Sequence, residues 1–346
     1  MVQPTIDLRS DTVTKPTPAM LAAVAALNPL ELGDDVFGED RLTNAFEAEV
    51  AELFGKEAAL FVPSGTMANQ LAIKIQTEEG DEVICDAGAH LANYETAAPA
   101  MLSRVQLRTL QGERGILTAE QIKEAIRPQA DWYPRTALVT LENTHNQAGG
   151  TIYPLSEIER IAELCKKYHL RLHLDGARLW NACIATGLKP KDYAQYCETI
   201  SVCFSKGLGA PIGSMLLGSK AAIQKARRYR KMWGGGMRQT GVVVAMAKYA
   251  LEHHYERMAI DHQHAKMLAA AFCANPKFRL DMRTVETNIV AVDVSPSGLS
   301  ESEVVVRFKQ HGILVSSIKK NFIRLVTHLG ISSEDIQSVC NFIQTF

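Results

Sequence analysis

One stretch of this chain, residues 170–206, constrains its fold more than any other. Residues 170–175 alternate apolar and polar side chains, which is the two-residue period of a β-strand. Residues 201–204 predict a second, shorter strand, and Lys206 lies in the turn that follows it. Because the ligands of open α/β sheets gather at the carboxyl ends of the strands, we expect Asp175 and Lys206 at a ligand-binding edge.

Asp175 and Lys206 together carry the chemistry that a pyridoxal 5'-phosphate site needs. The aldehyde of this cofactor reacts with an amine, and its ring nitrogen needs an acidic partner to stay protonated and act as an electron sink. Each residue also has an ordinary alternative, since a strand-end aspartate can cap a turn and a lysine before glycine can be solvated. The pair favours the cofactor site more strongly than either residue alone.

A small-residue turn predicts an anion site at the same edge. Residues 58–62 read as a buried strand, and they lead through Ser64-Gly65-Thr66 into a predicted helix. The free N–H groups and the positive end of such a helix attract an anion. The alternative is a plain helix cap, which the same residues would also make.

Two histidines are predicted near the ends of two further strands. Residues 82–85 form a strand that ends shortly before His90, and residues 137–141 form one that ends shortly before His145. A lone histidine in a loop is usually only a polar surface residue. His145, however, is the third polar group at a strand's carboxyl end, after Asp175 and Lys206, and chance is a poor explanation for that pattern.

Composition excludes several classes of partner. The chain has 346 residues, of which 22% are charged, and its net charge of −1 attracts neither nucleic acid nor an acidic membrane at long range. Its seven cysteines form no Cys-x-x-Cys pair, which predicts free thiols in a reducing cytoplasm and neither a disulfide nor a zinc framework. Residues 1–9 show no signal-peptide pattern, and no apolar run approaches the ~18 residues that a membrane helix needs. We predict no bound metal.

The second half of the chain predicts a smaller domain. The predicted division is an N-terminal segment at residues 1–30, a large domain at 31–261 and a small α+β domain at 262–346. Residues 241–261 read as one long helix, which would precede the boundary. The nearby histidines are interpreted as surface residues: His253, His254, His262 and His264.

Two basic features lack an obvious partner in the sequence. Arg324 lies in a predicted strand that is otherwise apolar, and an arginine in that setting needs an anionic partner. Residues 221–231 predict a basic helix that leads into a glycine-rich segment at 234–239, which suits neither a core nor a solvated helix.

Seven motifs appear in an order that resembles a known family. They are Leu8-Arg9-Ser10-Asp11-Thr12, Pro63-Ser64-Gly65-Thr66-Met67, Glu142-Asn143-Thr144-His145-Asn146, His173-Leu174-Asp175-Gly176-Ala177-Arg178, Phe204-Ser205-Lys206-Gly207, Gly234-Gly235-Gly236-Met237-Arg238-Gln239 and Arg324-Leu325-Val326-Thr327-His328. The chain thereby resembles the L-threonine aldolases of the low-specificity type, in the β-eliminating-lyase group of fold-type-I pyridoxal phosphate enzymes. The resemblance implies an α/β, aspartate-aminotransferase-like fold with a mostly parallel central sheet flanked by helices and a smaller α+β C-terminal domain.

The resemblance also implies roles for individual residues. The implied catalytic residues are Lys206, His90, His145 and Asp175. The implied cofactor-binding residues are Lys206, Ser64, Gly65, Thr66, His90, Asp175, Arg178, Ser205, Lys231 and Arg238. The implied substrate-binding residues are Ser10, His90, His145, Arg178 and Arg324. Lys231 and Arg238 are expected to reach the cofactor phosphate of a neighbouring subunit. The expected assembly is a homo-oligomer of at least two subunits, and a tetramer is favoured.

The implied reaction is retro-aldol cleavage of L-threonine, L-allo-threonine and related β-hydroxy-α-amino acids to glycine and an aldehyde. Acetaldehyde is the aldehyde expected from threonine. The base for the β-hydroxyl proton is left open between His145, His90 and a water molecule that they hold. The alternatives are phenylserine cleavage, β-elimination or transamination on the same fold, or a binding protein that has kept the fold without the activity.

Overall fold

A computed structural model describes residues 5–346, so the first four residues of the predicted N-terminal segment lie outside the described part. Its strands are β1 (Ile6–Asp7), β2 (Ala58–Val62), β3 (Glu82–Asp86), β4 (Gln106–Leu110), β5 (Thr136–Glu142), β6 (Arg171–Gly176), β7 (Thr199–Cys203), β8 (Ser214–Gly218), β9 (Ile289–Asp293), β10 (Ile313–Leu314), β11 (Ser316–Lys319) and β12 (Phe322–Val326).

Helices surround these strands. They are α1 (Pro18–Ala25), α2 (Arg41–Leu53), α3 (Gly65–Gln76), α4 (His90–Asn93), α5 (Ala119–Ala125), α6 (Leu155–Lys167), α7 (Leu179–Thr186), α8 (Pro190–Ala194), α9 (Lys220–Met232), α10 (Gly241–His254), α11 (Met258–Ala274), α12 (Glu301–Gln310) and α13 (Ser333–Thr345). Short 3₁₀ turns lie at Asp11–Val13, Pro29–Glu31, Asp35–Phe37, Met282–Thr284 and Ser295–Ser297, and a π-helical turn lies at Pro99–Ser103.

The central sheet has the order β2-β8-β7-β6-β5-β3-β4. Strands β7, β6, β5, β3 and β4 pair in parallel, and β8 runs antiparallel to both of its neighbours, β7 and β2. Parallel β6 and β7 therefore end at the same edge of the sheet, as the sequence predicts for the strands that precede Lys206. The prediction of an α/β fold with a mostly parallel sheet is confirmed.

The two largest clusters of buried apolar residues form most of the core. The larger lies around the central sheet, and the smaller lies between α11, α12, α13 and the antiparallel sheet β11-β12-β9. Strand β1 pairs in parallel with β10, and Leu8 is buried in the smaller cluster, so residues 6–8 pack on the C-terminal part of the chain. The residue bounds of the three predicted domains stay a prediction.

The predicted single helix over residues 241–261 is wrong. The structure has α10 and α11 with a turn at 255–257 between them. Tertiary contacts hold this turn, because Nδ1 of His254 bonds the carbonyl oxygen of Leu208 at 2.8 Å and the ring of Tyr255 packs edge-on against Trp180. The predicted boundary between residues 261 and 262 falls inside α11, so the chain passes between the two clusters along a helix.

Three of the four histidines interpreted as surface residues are buried. His254, His262 and His264 are at most 8% exposed. His262 lies 3.2 Å from the side-chain amide of Asn181, and His264 lies 3.1 Å from Ser333 Oγ. Helical spacing shows that these residues share a face but not that the face is covered.

Within residues 5–346, the helices are all too short or too polar to cross a membrane.

Candidate active site

A cavity of about 210 Å³ opens at the carboxyl end of the central sheet. It is lined by Pro63, Ser64, Gly65, Thr66, Asn69, His90, Asp175, Ala177, Cys203, Ser205, Lys206, Pro211 and Ile212. Seven of the predicted site residues are therefore together here, although they come from four separate parts of the chain: Ser64, Gly65, Thr66, His90, Asp175, Ser205 and Lys206.

Asp175 closes the inner side of the cavity. Its Oδ1 accepts from the N–H of Ala177 at 3.0 Å, and its Oδ2 accepts from Asn69 Nδ2 at 2.7 Å. Burial alone would raise the pKa of Asp175, but the charges of Lys206 and His90 bring it below its usual range. Asp175 is thus a buried carboxylate held in its ionised form.

Lys206 enters the cavity from the turn after β7. The N–H of Gly209 donates to the carbonyl oxygen of Lys206 at 2.7 Å, and the N–H of Phe204 donates to that of Gly213 at 3.0 Å. These bonds make the turn compact and place the half-buried lysine near Asp175 at the neighbouring strand end. An amine and a carboxylate therefore share one cavity.

The N-terminus of α3 also lines the cavity. Ser64 caps the helix, because its Oγ accepts from the N–H of Met67 at 3.2 Å. Gly65 is needed at the first position, since a Cβ there would lie 2.7 Å from Cys203 Sγ. The first N–H groups of a helix have no acceptor within it, so those of Gly65 and Thr66 are available to an anion.

His90 lies at the start of α4 and lines the cavity. Its Nδ1 is 2.8 Å from Oε1 of Glu95, a carboxylate that is 3% exposed as a residue. Burial lowers the pKa of His90, but the hydrogen bond to Glu95 and the charge of Asp175 outweigh it, and the pKa is raised overall.

His145 follows β5 as predicted, but it does not line the cavity. The residue is 1% exposed, and its Nε2 lies 3.1 Å from Oδ1 of Asp86. Its Nδ1 accepts from the N–H of Ala148 at 3.3 Å, so Nε2 carries the proton when the ring is neutral. Burial lowers the pKa of His145, and the carboxylates of Glu142 and Asp86 raise it above the usual value. The predicted catalytic role of His145 stays a prediction.

Two arginines converge beside the cavity. Arg178 makes a bidentate ion pair with buried Asp11, with Nε–Oδ2 and Nη2–Oδ1 distances of 2.8 Å. Burial alone would raise the pKa of Asp11, but Arg178 and the nearby charge of Lys206 lower it to about 2. Arg178 is therefore held in a buried ion pair, and its Nη1 also donates to Asn146 Oδ1 at 3.4 Å.

Arg324, on β12, reaches the same asparagine from the C-terminal part. Its Nη1 donates to Asn146 Oδ1 at 2.8 Å and its Nη2 to the carbonyl oxygen of Arg9 at 3.1 Å. Its Nε is buried and has no hydrogen-bond partner in the described part of the chain. Burial and the nearby charge of Arg178 lower the pKa of Arg324, which marks a site that an anion would stabilise.

Ser10 lies on the same N-terminal segment as Asp11. Its Oγ accepts from the N–H of Thr12 at 3.2 Å and caps the short turn at Asp11–Val13. This is a structural role, and substrate binding by Ser10 stays a prediction.

Lys231 and Arg238 lie outside the cavity lining of this single chain. Arg238 is 58% exposed in its side chain and donates to Asp34 Oδ2 at 2.6 Å. Phe37, three residues after Asp34, is 74% exposed, and Met232, next to Lys231, is 64% exposed. Basic and large apolar side chains are therefore exposed in residues 34–37 and 231–238, the two segments that the Arg238–Asp34 ion pair connects.

Donor atoms of His90, Glu95 and Asp175 lie within 4.8 Å of one another. Spacing alone would admit a metal ion. However, the amide of Asn69 lies between the two carboxylates and donates to both, and Nδ1 of His90 is engaged by Glu95. We interpret the group as a hydrogen-bonded network.

Sequence reasoning predicts no role for four polar residues at the site: Asp11, Asn69, Glu95 and Asn146. Asn146 stands beside His145 in one of the quoted motifs, which could have drawn attention to it. Asn69 and Glu95 give no such signal, because a polar residue inside a helix and one after a short helix are ordinary in sequence.

The structure defines the class of protein by its fold, which is aspartate-aminotransferase-like. The aspartate aminotransferase of Thermus thermophilus superposes with a TM-score of 0.74 at 16% identity, covering 99% of this chain and 91% of that one. A threonine aldolase of Leishmania major superposes with a TM-score of 0.85 at 20% identity, covering 98% and 99%. At these identities the likeness shows the fold alone.

Sequence comparison goes further. The model of the β-eliminating lyase family matches residues 7–296. A relative named "Probable low-specificity L-threonine aldolase 2" in Arabidopsis thaliana is 42% identical over 340 residues, 97% of this chain and 95% of the relative. The low specificity L-threonine aldolase of Escherichia coli K12 is 38% identical and covers 99% of both chains. The chain therefore belongs to the β-eliminating lyase family, together with the low-specificity L-threonine aldolases.

One relative carries the name of a different reaction. The alanine racemase TOXG of Cochliobolus carbonum is 37% identical over 352 residues, 98% of this chain and 86% of the relative. Identity near this level is therefore shared by proteins with different named activities.

Proposed function

We propose that this protein is a pyridoxal-phosphate-dependent L-threonine aldolase that cleaves L-threonine and L-allo-threonine to glycine and acetaldehyde. The observation that carries the proposal is the single cavity in which Lys206, Asp175 and the N-terminus of α3 meet. Membership in a family with L-threonine aldolases at 38–42% identity supports the choice of reaction.

The residues of the cavity fit the cofactor. Lys206 offers the amine, Asp175 offers an ionised carboxylate for the ring nitrogen, and the start of α3 offers N–H groups for the phosphate. His90 lines the same cavity and offers a flat face for the ring. When bound, the cofactor acts as an electron sink for a bond at the substrate's Cα.

Arg324 and Arg178 support the choice of an amino-acid substrate. Both guanidinium groups approach Asn146 Oδ1, and the buried Nε of Arg324 needs an acceptor. A carboxylate bound to Arg324 would supply that acceptor and would fix the substrate at one end. Fixing the carboxylate restricts rotation about the bonds at Cα, so the bond to Cβ can be held in the orientation that cleavage requires.

The proton of the β-hydroxyl must move to a base. His90 is the histidine that lines the cavity, and His145 is buried behind Gly88 with its Cε1 3.2 Å from where a Cβ at Gly88 would lie. His90 is therefore the proposed base, and His145 would need a ring movement or a bridging water molecule to act in its place.

The proposed assembly is a homo-oligomer of at least two subunits, with a tetramer favoured. In it, Lys231 and Arg238 bind the cofactor phosphate of a neighbouring subunit. The exposed Phe37 and Met232 beside these cations support a covered surface there. The cytoplasmic location stays a prediction.

Product analysis tests the proposed reaction. Purified protein supplied with pyridoxal phosphate should convert L-threonine to equal amounts of glycine and acetaldehyde. Ammonia and a keto acid would instead indicate β-elimination or transamination. Because a racemase is among the relatives, L-alanine should be assayed in parallel. Formation of D-alanine without threonine cleavage would contradict the proposal.

A further inference from the structure

Glu95 joins two functional groups of the cavity without lining it. Its Oε1 lies 2.9 Å from Asn69 Nδ2 and 2.8 Å from His90 Nδ1, and its Oε2 lies 2.6 Å from Gln70 Nε2. The same Nδ2 of Asn69 donates to Asp175 Oδ2. One asparagine amide therefore connects the carboxylate of Asp175 with that of Glu95.

The surrounding bonds fix the orientation of the Asn69 amide. Its nitrogen faces two carboxylates, and its Oδ1 accepts from Ser201 Oγ at 2.7 Å. The reversed amide would point its oxygen at two acceptors, which is unfavourable. The two hydrogens of Nδ2 are thus used, one for each carboxylate.

Glu95 receives amide donors at both of its oxygens. Hydrogen bonds donated to the charged form of a carboxylate favour that form. An ionised carboxylate can only accept, so the atom of His90 that faces Glu95, Nδ1, must carry a hydrogen. The neutral ring of His90 then has its lone pair at Nε2, an atom with no hydrogen-bond partner among residues 5–346.

We propose that Glu95 is a positioning residue that fixes His90 in the tautomer with hydrogen on Nδ1, so that Nε2 is the proton-accepting atom available in the cavity. Glu95 acts only through His90 and Asn69 and touches neither substrate nor cofactor. The inference rests on the proposed function: its kinetic test needs threonine cleavage, whereas its spectroscopic test needs only the bound cofactor.

Several charges act on His90 in addition to Glu95. Asp175 favours the charged ring, Lys206 opposes it, and Glu142 accepts from the backbone N–H of His90 at 2.6 Å. The ring of Tyr94 lies against His90, with centroids 5.5 Å apart. Among residues 5–346, Glu95 alone bonds to the imidazole itself, so removing its charge should change the titration of His90 most directly.

The experiment compares Glu95→Gln, Glu95→Asp and Glu47→Gln with the wild type, all with cofactor bound. Glu47 is the matched control, because it is also a buried glutamate, and its Oε1 accepts from the N–H of Phe61 at 2.7 Å. Histidine ¹⁵N–¹³C NMR, assigned with His90→Gln, reports the tautomer and the pKa of His90. Kinetics give kcat/KM for threonine as a function of pH.

The wild-type spectrum should show hydrogen on Nδ1 of the neutral His90 ring. Because an opposite charge raises the pKa of an imidazole, Glu95→Gln should lower that pKa by about 1 unit. The neutral base is then available at lower pH, so the acid limb of the kcat/KM profile should move to lower pH by the same amount. Because Glu95→Asp keeps a carboxylate, the pKa of His90 in that variant should lie between the values in Glu95→Gln and in the wild type. Glu47→Gln should leave both the tautomer and the pKa of His90 unchanged.

Two results would overturn the proposal. One is a wild-type ring with hydrogen on Nε2, and the other is an unchanged pKa of His90 in folded Glu95→Gln. If Glu95→Gln does not fold, the wild-type tautomer alone decides: hydrogen on Nε2 of the neutral His90 ring overturns the proposal. Because the NMR measurement needs no threonine cleavage, failure of the proposed reaction and failure of this inference are distinguishable.

Discussion

Arg178 and Arg324 donate to the same atom, Oδ1 of Asn146, at 3.4 Å and 2.8 Å. Arg178 lies between β6 and α7, and Arg324 lies on β12 of the small C-terminal sheet, so this asparagine connects the two parts of the chain beside the cavity. Arg178 is already neutralised by Asp11, whereas Arg324 forms no ion pair within residues 5–346. Arg324 is therefore the arginine that can pair with the carboxylate of a substrate.

Replacing Arg324 by lysine should weaken substrate binding and leave the cofactor in place. Lysine keeps the charge but loses the planar fork that binds a carboxylate through two N–H groups. Losing one charge-assisted bond should raise KM for threonine about 10- to 100-fold. Arg279→Lys, at an exposed arginine of the same part of the chain, is the control. Loss of cofactor with unchanged KM would refute the assignment.

Replacing Asp175 by asparagine should reduce activity by about two orders of magnitude or more. The variant cannot hold the cofactor's ring nitrogen protonated by charge, and its amide nitrogen would face the donors Asn69 or Ala177. Asp293→Asn is a matched control, since Asp293 also ends a strand and accepts from a backbone N–H two residues later. An Asp175→Asn enzyme with activity within a factor of two of the wild type would contradict the role.

Replacing Gly65 by alanine should reduce cofactor affinity. The new Cβ would lie 2.7 Å from Cys203 Sγ, so the start of α3 would have to move away from the cavity. Cofactor affinity, measured by titrating the apoprotein, should recover in part in the double variant Gly65→Ala with Cys203→Ala, because the second change removes the sulfur. Equal affinity in Gly65→Ala and wild type would show that the helix start does not hold the phosphate.

Subunits with different defects should complement each other if the site is shared. A Lys206→Ala chain mixed with an Arg238→Ala chain forms some hybrid sites in which both groups are intact. Activity should therefore reappear after subunit exchange, and sedimentation should give at least twice the chain mass of 38.0 kDa. Mixed chains that exchange but stay inactive, or a fully active monomer, would argue against a shared site.

The site residues that are predicted best from the sequence are those whose positions follow from a single strand. The alternating residues before Asp175 and the short apolar run before Lys206 give both strands and their ends, and parallel pairing then brings these ends together. The contacts that join distant parts of the chain have no such signal. Arg178 and Asp11 are 167 residues apart, and the pairing becomes visible only when the N-terminal segment is placed over the sheet edge.

Buried polar connections are similarly invisible in one sequence. Asn69 lies within α3 and has no period or motif that distinguishes it from a solvated helix residue, yet it is 2% exposed and bonds to both Asp175 and Glu95. The break between α10 and α11 has the same origin, since contacts of His254 and Tyr255 with distant residues decide it.

The central claim is that Lys206 binds the cofactor at the sheet edge beside Asp175. The most direct measurement is borohydride reduction of the protein with its cofactor, followed by mass mapping of the peptides. We expect the pyridoxyl phosphate mass on the peptide that contains Ser205-Lys206, and we expect its loss together with activity in Lys206→Ala. Attachment to a different lysine, or full activity in Lys206→Ala, would contradict the account.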